Sequence, residues 1–90
     1  MKLNEAATRR EDVVAREVGD ETMLLDLATG TYYGLNAVGG RFWQLLEEGK
    51  TPAQARDALL EEFEVEPPVL DRDLEALLAD LADKGLVRTG

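Results

Sequence analysis

The chain has 90 residues, 44% of them hydrophobic, which is enough for one domain with a single modest core. It contains no cysteine and no histidine, so disulfides, thiolate nucleophiles, imidazole bases and the usual zinc ligands are all excluded. The net charge is −9, and residues 51–90 carry ten acidic against four basic side chains, an arrangement that repels a phosphate backbone and otherwise serves as a solvated face.

Residues 1–11, MKLNEAATRRE, are polar and without periodicity, and are expected to form a loose arm ahead of a single domain over 12–90. The N-terminus has no apolar segment followed by a cleavage site, and the apolar runs elsewhere are short. Neither secretion nor membrane insertion is therefore signalled, and a cytoplasmic protein is expected. From Asp12 to Val18 the sequence alternates, with Val14, Arg16 and Val18 on one face and Val13, Ala15 and Glu17 on the other, as in a strand. Gly19, Asp20 and Glu21 supply a turn, Thr22 to Leu27 a second strand, Ala28, Thr29 and Gly30 a short connection, and Thr31 to Leu35 a third strand. The result is a three-stranded antiparallel meander.

Three helices follow. Asn36 is suited to cap the first, in which Val38, Phe42, Leu45 and Leu46 share a face, and Gly49 ends it. Thr51, Pro52 and Gln54 form a capping box with proline in the first turn, and Ala55, Ala58, Leu59 and Phe63 make the buried stripe of the second. Pro67 and Pro68 break the chain again. Beyond them Leu70, Leu74, Leu77, Leu78 and Leu81 form the richest apolar face, closed by Lys84 and Gly85. Strands grouped before helices predict an α+β fold in which the helices cover one face of the sheet.

In a meander the middle strand is paired on both sides, so the first and third strands are edges. The third carries Thr31, Tyr32, Tyr33 and Gly34, with no lysine or proline to discourage an incoming strand. Gly34 leaves room for a second backbone, or simply bends the chain before the helix. Tyr32 and Tyr33 must point to opposite faces, and alternation alone does not decide which one faces the core. On the first helix Phe42 anchors the core, whereas its neighbour Trp43 lines a boundary or contacts a partner protein.

The run LLDLATGTYYGLNAVGGRFWQLLEEGKT resembles the signature of the PqqD-like family, whose members include recognition elements for precursors of ribosomally made, modified peptides. The similarity extends from about Val13 to Val87. It takes in the LDL strand, the TG turn, the tyrosine strand, GLN before the first helix, the aromatic pair within it, the threonine-initiated helix and a leucine-rich helix ending in KGLV. The resemblance implies a winged-helix-like domain without catalysis that holds the leader of a precursor peptide as an added strand on its third strand, beside its last helix. It also implies delivery of that peptide to a modifying enzyme, either a leader protease, as in a lasso-peptide pathway, or a radical SAM enzyme of redox-cofactor biosynthesis. The discrete chain, with no catalytic domain attached, inclines the expectation toward the lasso-peptide version.

On this reading Thr31, Tyr32, Tyr33 and Gly34 supply the ladder, and Leu74, Leu77, Leu78 and Leu81 with a tyrosine ring form an apolar wall. Ordinary core packing competes for Leu74, Leu77 and Leu81, which leaves Leu78 as the better groove candidate. Asp73 and Asp80, seven residues apart, are placed to meet cationic leader residues, or else belong to a solvated face.

Two other classes fit less well. A winged-helix DNA-binding protein would use 51–84 as its helix-turn-helix, but the would-be recognition helix, DRDLEALLADLADKG, is acidic where phosphates lie. A carboxylate-pair enzyme would need Glu61 with Glu62 or Asp71 with Asp73, which point apart on a helix. Asp71, Asp73 and Glu75 lack the glycine and distal glutamate of a calcium loop, so no metal, no cofactor and no nucleic-acid or membrane partner is expected.

Overall fold

The computed structural model describes residues 7–9 and 12–89, and its largest sheet is the meander that the alternating segments predict. Strand β1 is Ala7–Arg9, β2 Val13–Val18, β3 Glu21–Asp26 and β4 Tyr32–Leu35; helices α1 (Ala37–Glu47), α2 (Pro52–Glu62) and α3 (Pro67–Asp83) follow, and β5 (Val87–Thr89) is the last described element. Strands β2, β3 and β4 lie in that order, with Val13 opposite Asp26 and Val18 opposite Glu21 in one ladder, and Thr22 opposite Leu35 in the other. The second strand begins and ends one residue earlier than the sequence suggests. Asp26 is buried and its Oδ1 accepts from the Ala28 N–H at 2.9 Å, so the turn starts there and Leu27 lies outside the strand.

The pairing of β1 with β5 has no counterpart in the sequence reading. These strands form a separate antiparallel pair, Ala7 opposite Thr89 and Arg9 opposite Val87. Within the arm expected over 1–11, Ala7–Arg9 is therefore strand, while residues 1–6, 10 and 11 lie outside the described residues. Each strand is three residues long and its partner is some eighty positions away. No local periodicity can announce such a pair.

The helix boundaries follow the capping chemistry. Asn36 Oδ1 accepts from the Gly39 N–H at 2.8 Å, and Thr51 and Gln54 exchange both bonds of a capping box. At the end of α3, Gly85 takes a φ of +74°, and the Leu86 N–H reaches back to the Leu81 carbonyl at 2.8 Å while that of Gly85 reaches Ala82. This is a Schellman closure, and its hydrophobic contact is present, since Leu81 and Leu86 are both buried in one cluster. Reversing the chain at Gly85 carries Leu86 and Val87 back into the core.

Among the described residues two clusters make up the interior. One lies among the helices and contains Phe42, Leu45, Leu59, Leu70, Leu74 and Leu78; the other lies between sheet and helices and contains Val13, Leu24, Leu35, Trp43, Leu81, Leu86 and Val87. Helix α1 reaches the sheet closely because residue 40 is glycine: a Cβ there would stand 2.5 Å from Thr22 Oγ1. Two forked ion pairs tie the helices together at the surface, Arg41 with Glu62 and Arg56 with Asp71.

Candidate functional site

The hydrogen-bond phase of β4 decides which of its groups are available. The Asp26 N–H bonds the Thr31 carbonyl at 2.9 Å, so residues whose numbers run in step with that pair, Leu24 with Tyr33 and Thr22 with Leu35, exchange bonds inside the sheet. The intervening residues, Tyr32 and Gly34, direct their N–H and C=O groups to the opposite edge. No described strand pairs with that edge. Within the segment Thr31 to Gly34 the outward-facing backbone groups are therefore those of Tyr32 and Gly34, whereas Thr31 and Tyr33 pair with β3.

The same alternation sorts the side chains. Tyr33 and Leu35 face the helices, whereas Tyr32 stands on the opposite face and is 67% exposed. Tyr33 packs against the sheet-side cluster, its hydroxyl donates to Asp80 Oδ2 at 3.3 Å, and Lys84 Nζ lies 5.5 Å from its ring centroid. Burial of the ring raises the Tyr33 pKa above its ordinary value, and the nearby Asp80 carboxylate adds to the effect by opposing a phenolate.

A groove of about 400 Å³ opens beside this strand, between the β4–α1 corner and α3. Tyr33, Gly34 and Val38 line one side, Val65 and Val69 one end, and Leu70, Asp73, Leu74 and Leu77 the other side. Of the α3 leucines expected here, Leu77 is half-buried at the wall and Leu74 forms part of the floor. Leu78 is not a groove residue: it is 0% exposed and lies in the helical cluster. Leu81 is equally buried, against the cluster that contains Trp43.

The exposed α3 stripe that borders the groove is Val69, Asp73 and Ala76, with half-buried Leu77 beside it, and Asp80 follows one turn on at the Tyr33 hydroxyl. It lies next to the Leu70–Leu74–Leu78–Leu81 stripe that enters the core, and helical spacing separates the two once one of them is known to be buried. Val38, Val65, Val69 and Leu70 were not anticipated at the site; Val65 just before the Glu66 cap and Leu70 in the first turn hold the two positions of a hydrophobic staple, a signal that could have found that pair. Asp73 is exposed on the groove rim, and none of the ion pairs among the described residues uses it.

Trp43, expected at a boundary, is 1% exposed and packs against Leu24, Leu35 and Leu81, so it is core and not a contact surface. Its predecessor Phe42 is buried too, because α1 is sandwiched between the sheet and the other helices and has two inward faces. Among the described residues no three acidic, cysteine or histidine side chains come together in a way that could hold a metal ion. Glu62 and Asp71, two of the carboxylates weighed for catalysis, are engaged by Arg41 and Arg56.

The chain shares its family and its fold with known proteins. Residues 21–87 match the family model described as coenzyme PQQ synthesis protein D. A solved structure of TbiB1 in complex with the TbiA(beta) leader peptide is 47% identical, with a TM-score of 0.81 over 90% of this chain and 94% of that one. A second, lasso peptide synthetase B1 complexed with the leader peptide, is 29% identical, with a TM-score of 0.78 over 92% and 98% of the two chains. Among curated proteins none matches.

Proposed function

Since this chain belongs to the PqqD family, we propose that it is a recognition element without catalytic activity, which binds the leader of a ribosomally made precursor peptide as a fourth strand on β4 and presents the remainder to a processing enzyme. A lasso-peptide pathway is the setting favoured by the two solved neighbours, both of which are leader-peptide complexes. Such work takes place where the precursor is made, in the cytoplasm. No helix among the described residues is long and apolar enough to cross a membrane.

The observation that carries the reading is the unpartnered edge of Tyr32 and Gly34 beside an apolar groove. Two outward N–H and two outward C=O groups make four ladder bonds, worth about 2–6 kcal/mol in total at roughly 0.5–1.5 each. Ordering a flexible leader costs about 2–5 kcal/mol or more, so the ladder alone leaves little net affinity. Affinity therefore depends on leader side chains entering the groove, where full burial of one large apolar group adds roughly 1.5–3 kcal/mol. Residues of an added strand alternate in direction, so every second leader residue points at Leu77, Leu74 and Val69. Asp73 on the rim favours a cationic residue near those anchors.

An amide-shift titration with a candidate leader from a neighbouring open reading frame tests the proposal. Saturable shifts are expected at Tyr32 and Gly34, with slowed amide exchange there, and at the methyl groups of Leu77 and Val69. Shifts confined to the β2 edge or to α2 would overturn the placement.

A further inference from the structure

The face of the sheet turned away from the helices is the most unusual surface of the molecule. In an antiparallel sheet with one solvated side, outward positions are ordinarily polar. Here the outward positions are Val14, Arg16 and Val18 on β2, Glu21, Met23 and Leu25 on β3, Leu27 just beyond it, and Tyr32 and Gly34 on β4. Only Arg16 and Glu21 are charged, in a chain that is 32% charged. Val14, Val18, Leu27 and Tyr32 are 44%, 58%, 63% and 67% exposed, and Val69 in the groove is the one other large hydrophobic side chain among the described residues that is exposed to a comparable degree. Apolar side chains scattered singly over a surface need no explanation, but these share one face, and a contiguous patch of this kind marks a site of association.

We propose that this outer face docks the enzyme that processes the bound precursor, and that the leader strand completes the docking surface. The inference rests on leader binding at β4. A leader residue that exchanges hydrogen bonds with Tyr32 or Gly34 has its side chain on their side of the sheet, while the residues between point into the groove. Half of the bound segment is thus displayed on the outer face, continuous with Tyr32 and, across bare Gly34, with Met23. An enzyme seated there touches carrier and peptide together, and an unloaded carrier offers it only part of the surface. Arg16 lies opposite Met23 in the middle of the patch and takes part in none of the ion pairs among the described residues. In a molecule of net charge −9 it is an isolated cation on a nearly uncharged face, so the partner surface is apolar with a carboxylate placed to meet it.

The test uses the full chain, the precursor peptide and the purified processing enzyme encoded alongside. Val18→Ser combined with Leu27→Ser, and separately Arg16→Glu, change exposed side chains remote from the groove, so both proteins fold. Leader Kd, measured by fluorescence anisotropy without the enzyme, is expected to stay within twofold of the unmodified protein, while kcat/KM for precursor processing falls tenfold or more. Unchanged processing with unchanged leader Kd would overturn the docking surface and leave leader binding standing. A tenfold weaker leader Kd in either variant would also overturn it, because the face would then belong to the leader site. Sedimentation showing a dimer of the unmodified protein that the double variant disperses, with processing intact, would assign the patch to a second copy instead. Failure of the unmodified protein to bind leader at all is a separate result, which removes the premise.

Discussion

At the scale of single residues, the neighbours Leu77 and Leu78 separate binding from folding. Leu77 is half-buried at the groove wall, so Leu77→Asp places a carboxylate where a leader side chain is expected while most of the helix packing survives. Leader affinity should fall at least tenfold, with a melting temperature close to that of the parent. Leu78→Asp puts the same charge into a fully buried position of the helical cluster, at a cost of several kcal/mol, on the order of the whole stability of a domain this size. Thermal melts read beside binding isotherms check both outcomes. Tyr33 offers a third test, because burial and Asp80 hold its ionisation above the usual 10.0. The folded state resists deprotonation, so this contribution to stability is intact below the unfolded pKa and is lost as pH rises through the higher folded value. Ultraviolet titration in a Tyr32→Phe background should place the phenolate transition above 10.0, and Asp80→Asn should bring it down.

At the scale of elements, the phase of β4 converts an edge into a prediction. Proline at 32 removes an N–H that points away from the sheet, which an edge strand tolerates, so Tyr32→Pro should lose leader binding while remaining folded. Proline at 33 removes a bond to Leu24 and the ring that packs on the core, so Tyr33→Pro should unfold the meander. Circular dichroism melts and leader titrations on the pair would settle the phase, and the opposite pattern would reverse it. The approach of α1 to β3 is equally specific. Gly40→Ala drives a methyl group into Thr22 and should destabilise by about 1–3 kcal/mol, measured by urea unfolding.

At the scale of the molecule, the chain closes on itself through β1 and β5, and this clasp bears on the groove from a distance. Strand β5 follows α3 through Leu86 and Val87, both buried with Leu81, while β1 pairs with β5 along its length. Removing residues 1–9 deletes that pairing and should lower the melting temperature. It should also weaken leader binding by a smaller factor than Leu77→Asp, since α3 keeps its packing in the helical cluster and only the strand that follows it loses a partner. A deletion variant that melts like the full chain would show that β5 is held by the core alone.

The sequence by itself determined every element whose cause is local: the meander from its alternation and turn glycines, the three helices from Asn36, the Thr51 box and the paired prolines, and the family from the run around Tyr32 and Tyr33. It also identified β4 as an edge, since a meander has only two. Tertiary structure alone decided three matters. It buried Leu78 and Trp43, because a helix with neighbours on two sides has more than one inward face and spacing cannot rank them. It set the hydrogen-bond phase that leaves Tyr32 and Gly34 free, which depends on cross-strand register and not on residue type. And it joined β1 to β5, a contact between chain ends whose strands are too short to carry a period, and whose pairing exists only once the core has brought them together.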